Sequence, residues 1–323
     1  MSKQVIKGRV LKKVIIDTDP GIDDFMAIAL ALQIPDLQVL GLTTVYGNAK
    51  LEQTTFNAKK ILEYCQTELP VCPGAHNPLL NDWDDVGGKI FHGVDGLGNL
   101  NSATEEILKT QLHATQFIID QAKKYRGELV VLTLGPLTNL ALALMLEPKL
   151  PTYLKEVVIM GGAVENNGNC TPASEFNIGS DPHAADMVLK SKLKTTLVGL
   201  DVTHQVILNS DFFERLAQSK RPFAQALTKA SQKYQQSYRE FVIDEGVYNH
   251  DPSAVAYLAH PELFTLKSGA IRVVTDGIAQ GQTLMDLRGT WEVENQWSQT
   301  TPSNAATEVD GPRLIQLMQD YLF

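Results

Sequence analysis

Short apolar runs alternate with longer stretches of helical periodicity along most of the chain. The runs carry Val, Ile and Leu on consecutive positions, which is typical of parallel strands buried on both faces. The strands predicted in this way span residues 14–16, 37–45, 70–72, 128–134, 157–160 and 195–200. The predicted helices span residues 25–32, 51–65, 105–125, 140–146, 182–190, most of 211–241, 251–259 and 311–322. This alternation predicts an α/β fold with a mostly parallel open sheet flanked by helices.

The pattern changes after Gly269, where shorter alternating runs follow one another. They predict a few peripheral antiparallel strands near the C-terminus, at residues 271–275, 283–287 and 304–309. No linker, internal repeat or low-complexity segment divides the sequence. We therefore expect one domain over residues 1–323, with residues 1–12 as an N-terminal extension.

Two long segments, residues 75–104 and 163–181, show little periodicity and are rich in Gly, Asp and Asn. Irregular segments of this length inside a compact domain are usually functional or mobile. We therefore expect them to contribute to a site.

Composition excludes several classes of protein. The net charge is −9 and no basic cluster is present, which argues against binding to nucleic acid or to an anionic membrane. No apolar run reaches the length of a transmembrane helix, and the N-terminal residues lack the apolar core of a signal peptide. The three scattered cysteines form neither a disulfide framework nor a zinc motif. These features predict a cytoplasmic protein.

The chemically richest stretch is Asp17-Thr18-Asp19-Pro20-Gly21-Ile22-Asp23-Asp24, which directly follows the first predicted strand. Four carboxylates this close together require either protonation of some of them or a cation among them. Because the stretch contains neither Cys nor His, a hard cation such as Ca²⁺ or Mg²⁺ is indicated. A solvated acidic loop that caps a helix is the alternative, but the position after a buried strand favours a site.

Further polar clusters follow the ends of other predicted strands, at Asn48, residues 134–139, residues 160–162 and Asp201. Ligands of open α/β sheets bind in the crevice outside the carboxyl ends of the strands. We therefore expect these clusters to meet the opening acids at one edge of the sheet.

A fifth acid, Asp251, begins a predicted helix directly after His250. The acid could complete a cation site and the histidine could move a proton, although a structural histidine is nearly as common at such a position. Asn169, Glu175 and Asn177 carry hydrogen-bonding groups of the kind that sugar hydroxyls need. As a bare pattern these three equally suit a structured loop.

In this order, the motifs resemble the signature of the inosine–uridine nucleoside hydrolase family. The resemblance covers nearly the whole chain, and bacterial broad-specificity ribonucleoside hydrolases are the most similar members. The segments that carry it are 17–24, Thr44-Val45-Tyr46-Gly47-Asn48, 134–141, Ile159-Met160-Gly161-Gly162, 169–177, 199–203, 264–267 and His250-Asp251-Pro252.

The resemblance implies hydrolysis of the N-glycosidic bond of ribonucleosides to ribose and free base, in nucleoside salvage or catabolism. It implies a Ca²⁺ ion held by Asp19, Asp24, Asp251 and the main-chain carbonyl of Leu134. Mixed carboxylate and carbonyl ligands suit Ca²⁺. Family members are usually dimers or tetramers, so the resemblance also implies a homo-oligomer.

The resemblance also implies roles for individual side chains. Asp19 would accept the proton of the attacking water, Asp23 would hold ribose hydroxyls, and His250 would protonate or hydrogen-bond the departing base. The other implied ribose-side residues are Asn48, Met160, Asn169, Glu175 and Asn177.

Three residues are candidates for the base side of the site. His92 resembles a histidine near the base in pyrimidine-preferring members, and Tyr234 and Tyr238 fall where some members carry tyrosines over the base. Their i,i+4 spacing puts both tyrosines on one helix face, where a core aromatic stripe is an equally good explanation. Asp17 is expected to support Asp19 from behind.

Other functions remain open at the level of the sequence. One is a pyrimidine-preferring nucleoside hydrolase rather than one of broad base range. Another is a phosphatase of the haloacid-dehalogenase type, because Asp17-Thr18-Asp19 after an apolar strand is similar to its nucleophile motif. The third is a non-catalytic protein that binds sugars or nucleosides and uses calcium for structure.

Overall fold

The computed structural model describes residues 11–80, 82–83, 87–100, 112–288 and 293–323. In chain order, the strands of these ranges are β1 Lys12–Thr18, β2 Leu37–Thr44, β3 Val71–Pro73, β4 Leu129–Thr133, β5 Leu154–Met160, β6 Thr195–Val198, β7 Ile207–Leu208, β8 Val247–Tyr248, β9 Phe264–Val273, β10 Thr283–Asp286 and β11 Pro302–Val309. The α-helices are α1 Ile22–Gln33, α2 Leu51–Tyr64, α3 Gly88–His92, α4 Ala114–Lys124, α5 Thr138–Leu146, α6 Phe176–Ser180, α7 Pro182–Lys190, α8 Leu200–Thr203, α9 Ser210–Gln218, α10 Pro222–Phe241, α11 Asp251–Ala259 and α12 Gly311–Leu322.

In the described residues, a nine-stranded sheet runs in the order β10-β9-β11-β6-β5-β4-β1-β2-β3. The seven strands from β11 to β3 pair in parallel, whereas β9 and β10 pair antiparallel. Strands β7 and β8 form a separate two-stranded antiparallel ribbon. The predicted fold, a mostly parallel sheet with antiparallel strands near the C-terminus, is confirmed.

Alternating residues of β1 belong to two separate hydrophobic clusters, one on each face of the sheet. Val14 and Ile16 pack in one cluster with residues of α1, α2, α9, α10, α11 and α12. Ile15 packs in the other with residues of α4, α5 and α7. All three side chains are fully buried, so the continuous apolar run follows from helices covering both faces. Polar groups can therefore gather only at the ends of the strands.

Several predicted boundaries were wrong. Strand β9 begins at Phe264 rather than Ile271, because Gly269 does not end it but lies inside it. A Cβ at Gly269 would clash with the backbone of β10, which explains a glycine within a strand. Strand β11 is internal rather than peripheral, since it pairs in parallel with β6 and antiparallel with β9.

The helices also differ in detail from the prediction. Residues 105–111 of the predicted helix 105–125 lie outside the described residues, and α4 begins at Ala114 after its cap His113. Residues 211–241 form two helices, since Pro222 starts α10. The short helices α3, α6 and α8 were missed because four or five residues show no periodicity.

The predicted extension 1–12 ends slightly too late. Lys12 already belongs to β1 and pairs with Leu37, while residues 1–10 lie outside the described ranges. In the part of the chain that the structure describes, no helix has the length and apolar character needed to cross a membrane.

Candidate active site

A cavity of about 470 Å³ opens where β1, β4 and β5 end. Twelve of the residues predicted for the site line the cavity, and they come from eight separate segments of the chain. They are Asp23, Asn48, His92, Leu134, Met160, Asn169, Glu175, Asn177, Tyr234, Tyr238, His250 and Asp251. The other two predicted residues, Asp19 and Asp24, do not line the cavity and are almost fully buried.

The turn after β1 places Asp24 in the first turn of α1, where its charge suits the helix dipole. The Asp24 carboxylate accepts hydrogen bonds from the Thr18 hydroxyl and, at 2.9 Å, from the Gly21 backbone N–H. The side-chain amide of Asn48 donates to it at 3.2 Å. These bonds tie the β1 turn to the turn after β2 and fix the carboxylate in one orientation.

Only one of the two carboxylate oxygens of Asp19 accepts a hydrogen bond from the described residues. Its Oδ2 accepts the backbone N–H of Asn48 at 2.8 Å, while Oδ1 is buried without a hydrogen-bond partner among the described residues. A Cβ at Gly47 or at Gly135 would clash with this carboxylate. The two glycines therefore let the backbone close around Asp19 and leave one oxygen available to a ligand or water.

Oxygens of Asp23, Asp24 and Asp251 lie within 4.8 Å of one another, so these three acids could hold a metal ion. Burial, and then the neighbouring charge, raises the pKa of Asp24 to about 6. Burial raises the pKa of Asp23 to about 6, and burial followed by the charges of the neighbouring acids raises that of Asp251. Burial, and then the charge of Asp24, raises the pKa of Asp19 as well. A cation would relieve this repulsion.

This three-acid group is not identical to the set of ligands implied by the resemblance. Asp24 and Asp251 belong to both sets, whereas the group contains Asp23 instead of Asp19. The carbonyl of Leu134 lies at the cavity, where it accepts a hydrogen bond of 2.6 Å from the side-chain amide of Asn177.

Asp17 lies behind the site and is fully buried at the end of β1. Its Oδ1 accepts hydrogen bonds from the Thr43 hydroxyl and from the Asn139 side-chain amide at 2.8 Å. Burial raises its pKa to about 6. Asp17 therefore links the end of β1 to the end of β2 and to helix α5, while its expected support of Asp19 stays a prediction.

Glu175 and Asn177 occupy the start of α6, close to the end of β5. The Glu175 carboxylate caps this helix, accepting the backbone N–H groups of Gly162, Asn177 and Ile178 at 3.0 Å each. Burial raises its pKa. The side-chain amide of Asn177 also donates a hydrogen bond of 3.2 Å to the Met160 carbonyl. Both side chains are thus fixed by the backbone that they bind.

Asn169 belongs to the irregular segment before α6 and is exposed at the cavity. Its Oδ1 accepts the backbone N–H of Phe176 at 2.9 Å, which places it beside Glu175. The structure thus brings the three predicted residues of this segment together.

His92 ends the short helix α3 and faces the turn after β1. Its Nδ1 accepts the backbone N–H of Ile22 at 3.0 Å, and its ring stacks on Tyr234 with a centroid distance of 5.3 Å. Burial lowers the pKa of His92 to about 4, so the ring is neutral at pH 7. The predicted base-side residues are therefore in contact.

A chain of hydroxyl and imidazole groups crosses the cavity. The Tyr234 hydroxyl lies 3.3 Å from Oδ2 of Asp23 and 3.4 Å from the Tyr238 hydroxyl. The Tyr238 hydroxyl lies 2.9 Å from Nε2 of His250, whose Nδ1 lies 2.9 Å from the Thr203 hydroxyl. Burial lowers the pKa of His250 to about 3, so this imidazole is also neutral at pH 7.

Sequence reasoning missed several residues that line the cavity or bind a residue that lines it. Thr203 binds His250 from the short helix α8, and no local pattern indicates that contact. Phe241 lines the cavity seven residues after Tyr234, so extending the helical stripe would have found it. His204 and Tyr248 stack on each other at the cavity with a centroid distance of 4.1 Å.

Taken together, the fold and the site define an α/β enzyme whose pocket joins a buried acidic floor to an aromatic wall. The model of the family described as inosine-uridine preferring nucleoside hydrolase matches residues 14–316. The chain belongs to this family, and it is therefore an N-ribosyl hydrolase that acts on ribonucleosides. This membership places it with nucleoside hydrolases rather than with phosphatases.

Individual relatives agree with this assignment. The chain is 42% identical over 314 residues to a probable uridine nucleosidase 2 of Arabidopsis thaliana, covering 96% of this chain and 97% of that protein. It is 37% identical over 277 residues to the non-specific ribonucleoside hydrolase RihC of Escherichia coli, covering 85% and 88%. Among solved structures, the plant nucleoside hydrolase PpNRh1 matches with a TM-score of 0.92, 38% identity, and coverage of 96% and 98%. A purine-preferring ribonucleoside hydrolase from Gardnerella vaginalis matches with a TM-score of 0.87, 30% identity, and coverage of 96% and 98%.

Proposed function

We propose that the protein is a calcium-dependent ribonucleoside hydrolase of the cytoplasm that serves nucleoside salvage or catabolism. The observation that carries the proposal is the cluster of buried carboxylates at the cavity, with no Lys or Arg among the described lining residues. Such a cluster needs a cation when its acids are ionised, and its net negative charge suits a reaction that develops positive charge.

The residues present fit a hard divalent cation. Asp24 and Asp251 are buried beside each other, and the buried Oδ1 of Asp19 has no hydrogen-bond partner among the described residues. We assign these three carboxylates and the Leu134 carbonyl to Ca²⁺, and we leave Asp23 to the substrate because it lines the cavity whereas Asp19 does not. When bound, the ion lowers the pKa of a water molecule and orients it.

Asp19 is proposed to accept the proton of the attacking water through its unpartnered Oδ1. Its other oxygen is held by the N–H of Asn48, which fixes the direction of the carboxylate. As the water oxygen bonds to C1′ of the ribose, the N-glycosidic bond breaks and its electron pair goes to the base. Asp19 thus gains one proton from water while the departing base takes up one proton, and once Asp19 has released its proton the net reaction is nucleoside plus water to ribose plus free base.

The ribose is proposed to bind across the acidic floor. Asp23 and Asn48 would hold the 2′- and 3′-hydroxyls, while Asn169, Glu175 and Asn177 would meet the 5′-hydroxyl side. The Asn177 amide donates to the Leu134 and Met160 carbonyls, so its Oδ1 is the group free to accept from a hydroxyl. Met160 would pack against the sugar.

The charge of the pocket is proposed to favour the transition state over the substrate. Cleavage leaves a ribosyl group with the character of an oxocarbenium ion, which is positively charged, whereas the bound nucleoside is neutral. Fixed carboxylates in a buried site stabilise such a charge without first having to reorganise.

The departing base is proposed to receive a hydrogen bond from the Tyr238–His250 pair. His250 is neutral at pH 7, so it does not carry a standing proton for the base. Its ring can pass a proton only as the adjoining hydroxyls of Tyr238 and Thr203 exchange theirs. Tyr234 and His92 would stack near the base and close this side of the pocket.

The base range is proposed to be broad and to include uridine. The Arabidopsis relative is named a probable uridine nucleosidase, while the E. coli relative is named non-specific and the Gardnerella enzyme purine-preferring. Relatives with both preferences are therefore similar over most of this chain. A pyrimidine preference is the second candidate, which the names of the Arabidopsis uridine nucleosidase relatives favour.

The test is a panel of uridine, cytidine, inosine, adenosine and guanosine, with p-nitrophenyl phosphate as the phosphatase substrate. We expect release of ribose and free base from uridine and from at least one purine nucleoside. Release of base from uridine and cytidine alone would select the pyrimidine-preferring alternative. Absence of base release from every nucleoside would refute the proposed function.

We also propose a homo-oligomer. Sedimentation of the same sample would test this, and a monomer would contradict it.

A further inference from the structure

The carboxylate of Asp201 binds three consecutive backbone N–H groups of a cavity segment. Its Oδ2 accepts from Val164 at 2.8 Å, and its Oδ1 accepts from Glu165 and Asn166 at 2.9 Å each. The side chain is 4% exposed, so these bonds lie in a poorly solvated place. Hydrogen bonds from N–H groups to an ionised carboxylate are about twice as strong as those between neutral groups.

The three N–H groups begin the sugar-side segment, defined here as residues 164–175. This segment follows β5 and carries no helix, yet Gly168, Asn169 and Glu175 in it line the cavity. Asn169 is exposed, so side-chain packing does not place it. The path of the backbone and the hydrogen bond from the Phe176 N–H place Asn169, and Asp201 fixes the first three residues of that path.

The far end of the sugar-side segment is fixed separately. Ser174 forms an isolated antiparallel bridge with Gln282, and Glu175 caps α6. Asp201 and these contacts therefore hold the segment at its two ends. Between the two ends, Gly168 and Cys170 donate to the carbonyls of Pro172 and Ser174, and Asn169 accepts the N–H of Phe176.

Helix α8 carries Asp201 and, two residues later, Thr203, which binds His250. The helix is itself tied to β11, because Gln205 donates to the carbonyls of Asp201 and Thr307 at 2.5 and 2.9 Å. One short helix thus sets the position of the sugar-side segment relative to His250. The distance between the two ends of a bound nucleoside must match that spacing.

We propose that Asp201 is a positioning residue that shapes the sugar-side segment so that Asn169 meets the 5′-hydroxyl of the ribose. This inference rests on the proposed function, since it concerns how the nucleoside is bound. This contact between Asn169 and the 5′-hydroxyl would make the enzyme selective for ribosides that carry that group. Asp201 itself touches no substrate.

Asp201→Asn tests this, because the amide has the same shape but presents an NH₂ group to backbone N–H donors. We expect kcat/KM for uridine to fall by about tenfold to 100-fold, and that for 5′-deoxyuridine by less than about threefold. The difference arises because 5′-deoxyuridine lacks the group that Asn169 would bind. In the Asn169→Ala background, the further effect of Asp201→Asn on uridine should be equally small.

Asp310→Asn is the matched control, since Asp310 also accepts a backbone N–H, that of Arg313 at the start of α12, and does not line the cavity. It should leave both substrates unaffected. Equal losses on uridine and 5′-deoxyuridine, or no loss on either, would overturn the role of Asp201. A wild-type protein that hydrolyses no nucleoside would instead refute the proposed function, and this inference with it.

Hydrogen exchange of the wild-type protein is a second test. It needs no variant, so it can be made even if Asp201→Asn does not fold. The amides of Val164, Glu165 and Asn166 should exchange far more slowly than an unstructured peptide, although they lie outside regular secondary structure. Exchange at the unprotected rate would contradict the proposal.

Discussion

At the scale of single residues, the acids of the β1 turn divide by what each oxygen already binds. Both oxygens of Asp24 accept hydrogen bonds, one oxygen of Asp19 is unpartnered among the described residues, and Asp23 lines the cavity. The sequence predicts the cluster and its need for a cation. It could not predict this division, because Asn48, which binds both Asp19 and Asp24, lies far along the chain from these acids.

The division of the acids leads to a prediction for calcium affinity. Asp19→Asn should weaken Ca²⁺ binding more than Asp23→Asn, because we assign Asp19 to the ion and Asp23 to the ribose. Asp19→Asn should also lower kcat by about 10²-fold to 10⁴-fold with the fold intact, as expected for loss of a general base. Isothermal titration with CaCl₂ and initial rates on uridine measure the two effects. The reverse order of affinities would move the assignment to Asp23.

A second prediction at this scale concerns the hydroxyl between Tyr234 and His250. Tyr238→Phe removes it and leaves the aromatic ring, so kcat on inosine or uridine should fall by about tenfold, the worth of one hydrogen bond. A p-nitrophenyl riboside should be nearly unaffected, because its leaving group needs no proton. Tyr257→Phe, which loses a hydroxyl away from the cavity, is the control. Equal losses on both substrates would exclude a role in leaving-group activation.

At the scale of elements, long helices and buried strands are predictable, whereas the short helices that carry site residues are not. Strand β2 and helix α11 lie close to their predicted bounds because burial imposes a pattern on them. Helix α3 supplies His92 and helix α8 supplies Thr203, and neither is long enough to show a period. Thr203 was therefore missed, and His92 was predicted only through the family resemblance.

A third prediction concerns the ion pair that joins the antiparallel strand β9 to helix α7. Arg272 of β9 binds Asp186 of α7 through two hydrogen bonds of 2.7 and 3.0 Å, and both side chains are largely buried. Asp186→Ala removes the carboxylate and leaves the guanidinium with the Gln296 carbonyl as its remaining acceptor among the described residues, so it should lower the free energy of unfolding by about 3 kcal/mol. Urea unfolding measures this.

The exposed pair of Lys60 and Glu63 provides the matched control for that experiment. Glu63→Gln should change the free energy of unfolding by less than about 1 kcal/mol, because solvent screens a surface pair. Similar small effects of both substitutions would show that the buried pair does not stabilise the packing of β9 against α7.

At the scale of the whole molecule, the parallel sheet explains why distant motifs form one site. The turns after β1, β2, β4 and β5 emerge at the same edge, and described residues of both long irregular segments add to the wall of the cavity. The alternation of strands and helices was enough to predict this gathering. The order of the strands was not, since β11 lies between β6 and β9 through contacts that no local pattern encodes.

The central claim is that the buried acids of this edge hold a calcium ion that ribonucleoside hydrolysis requires. The most direct measurement strips the enzyme with a chelator, confirms the loss of metal by mass spectrometry, and follows uridine hydrolysis as CaCl₂ is added back. We predict that activity is lost on stripping and recovers with about one Ca²⁺ per chain, and that an Asp24→Asn, Asp251→Asn double variant shows no recovery. Full activity of the metal-free enzyme would contradict the claim.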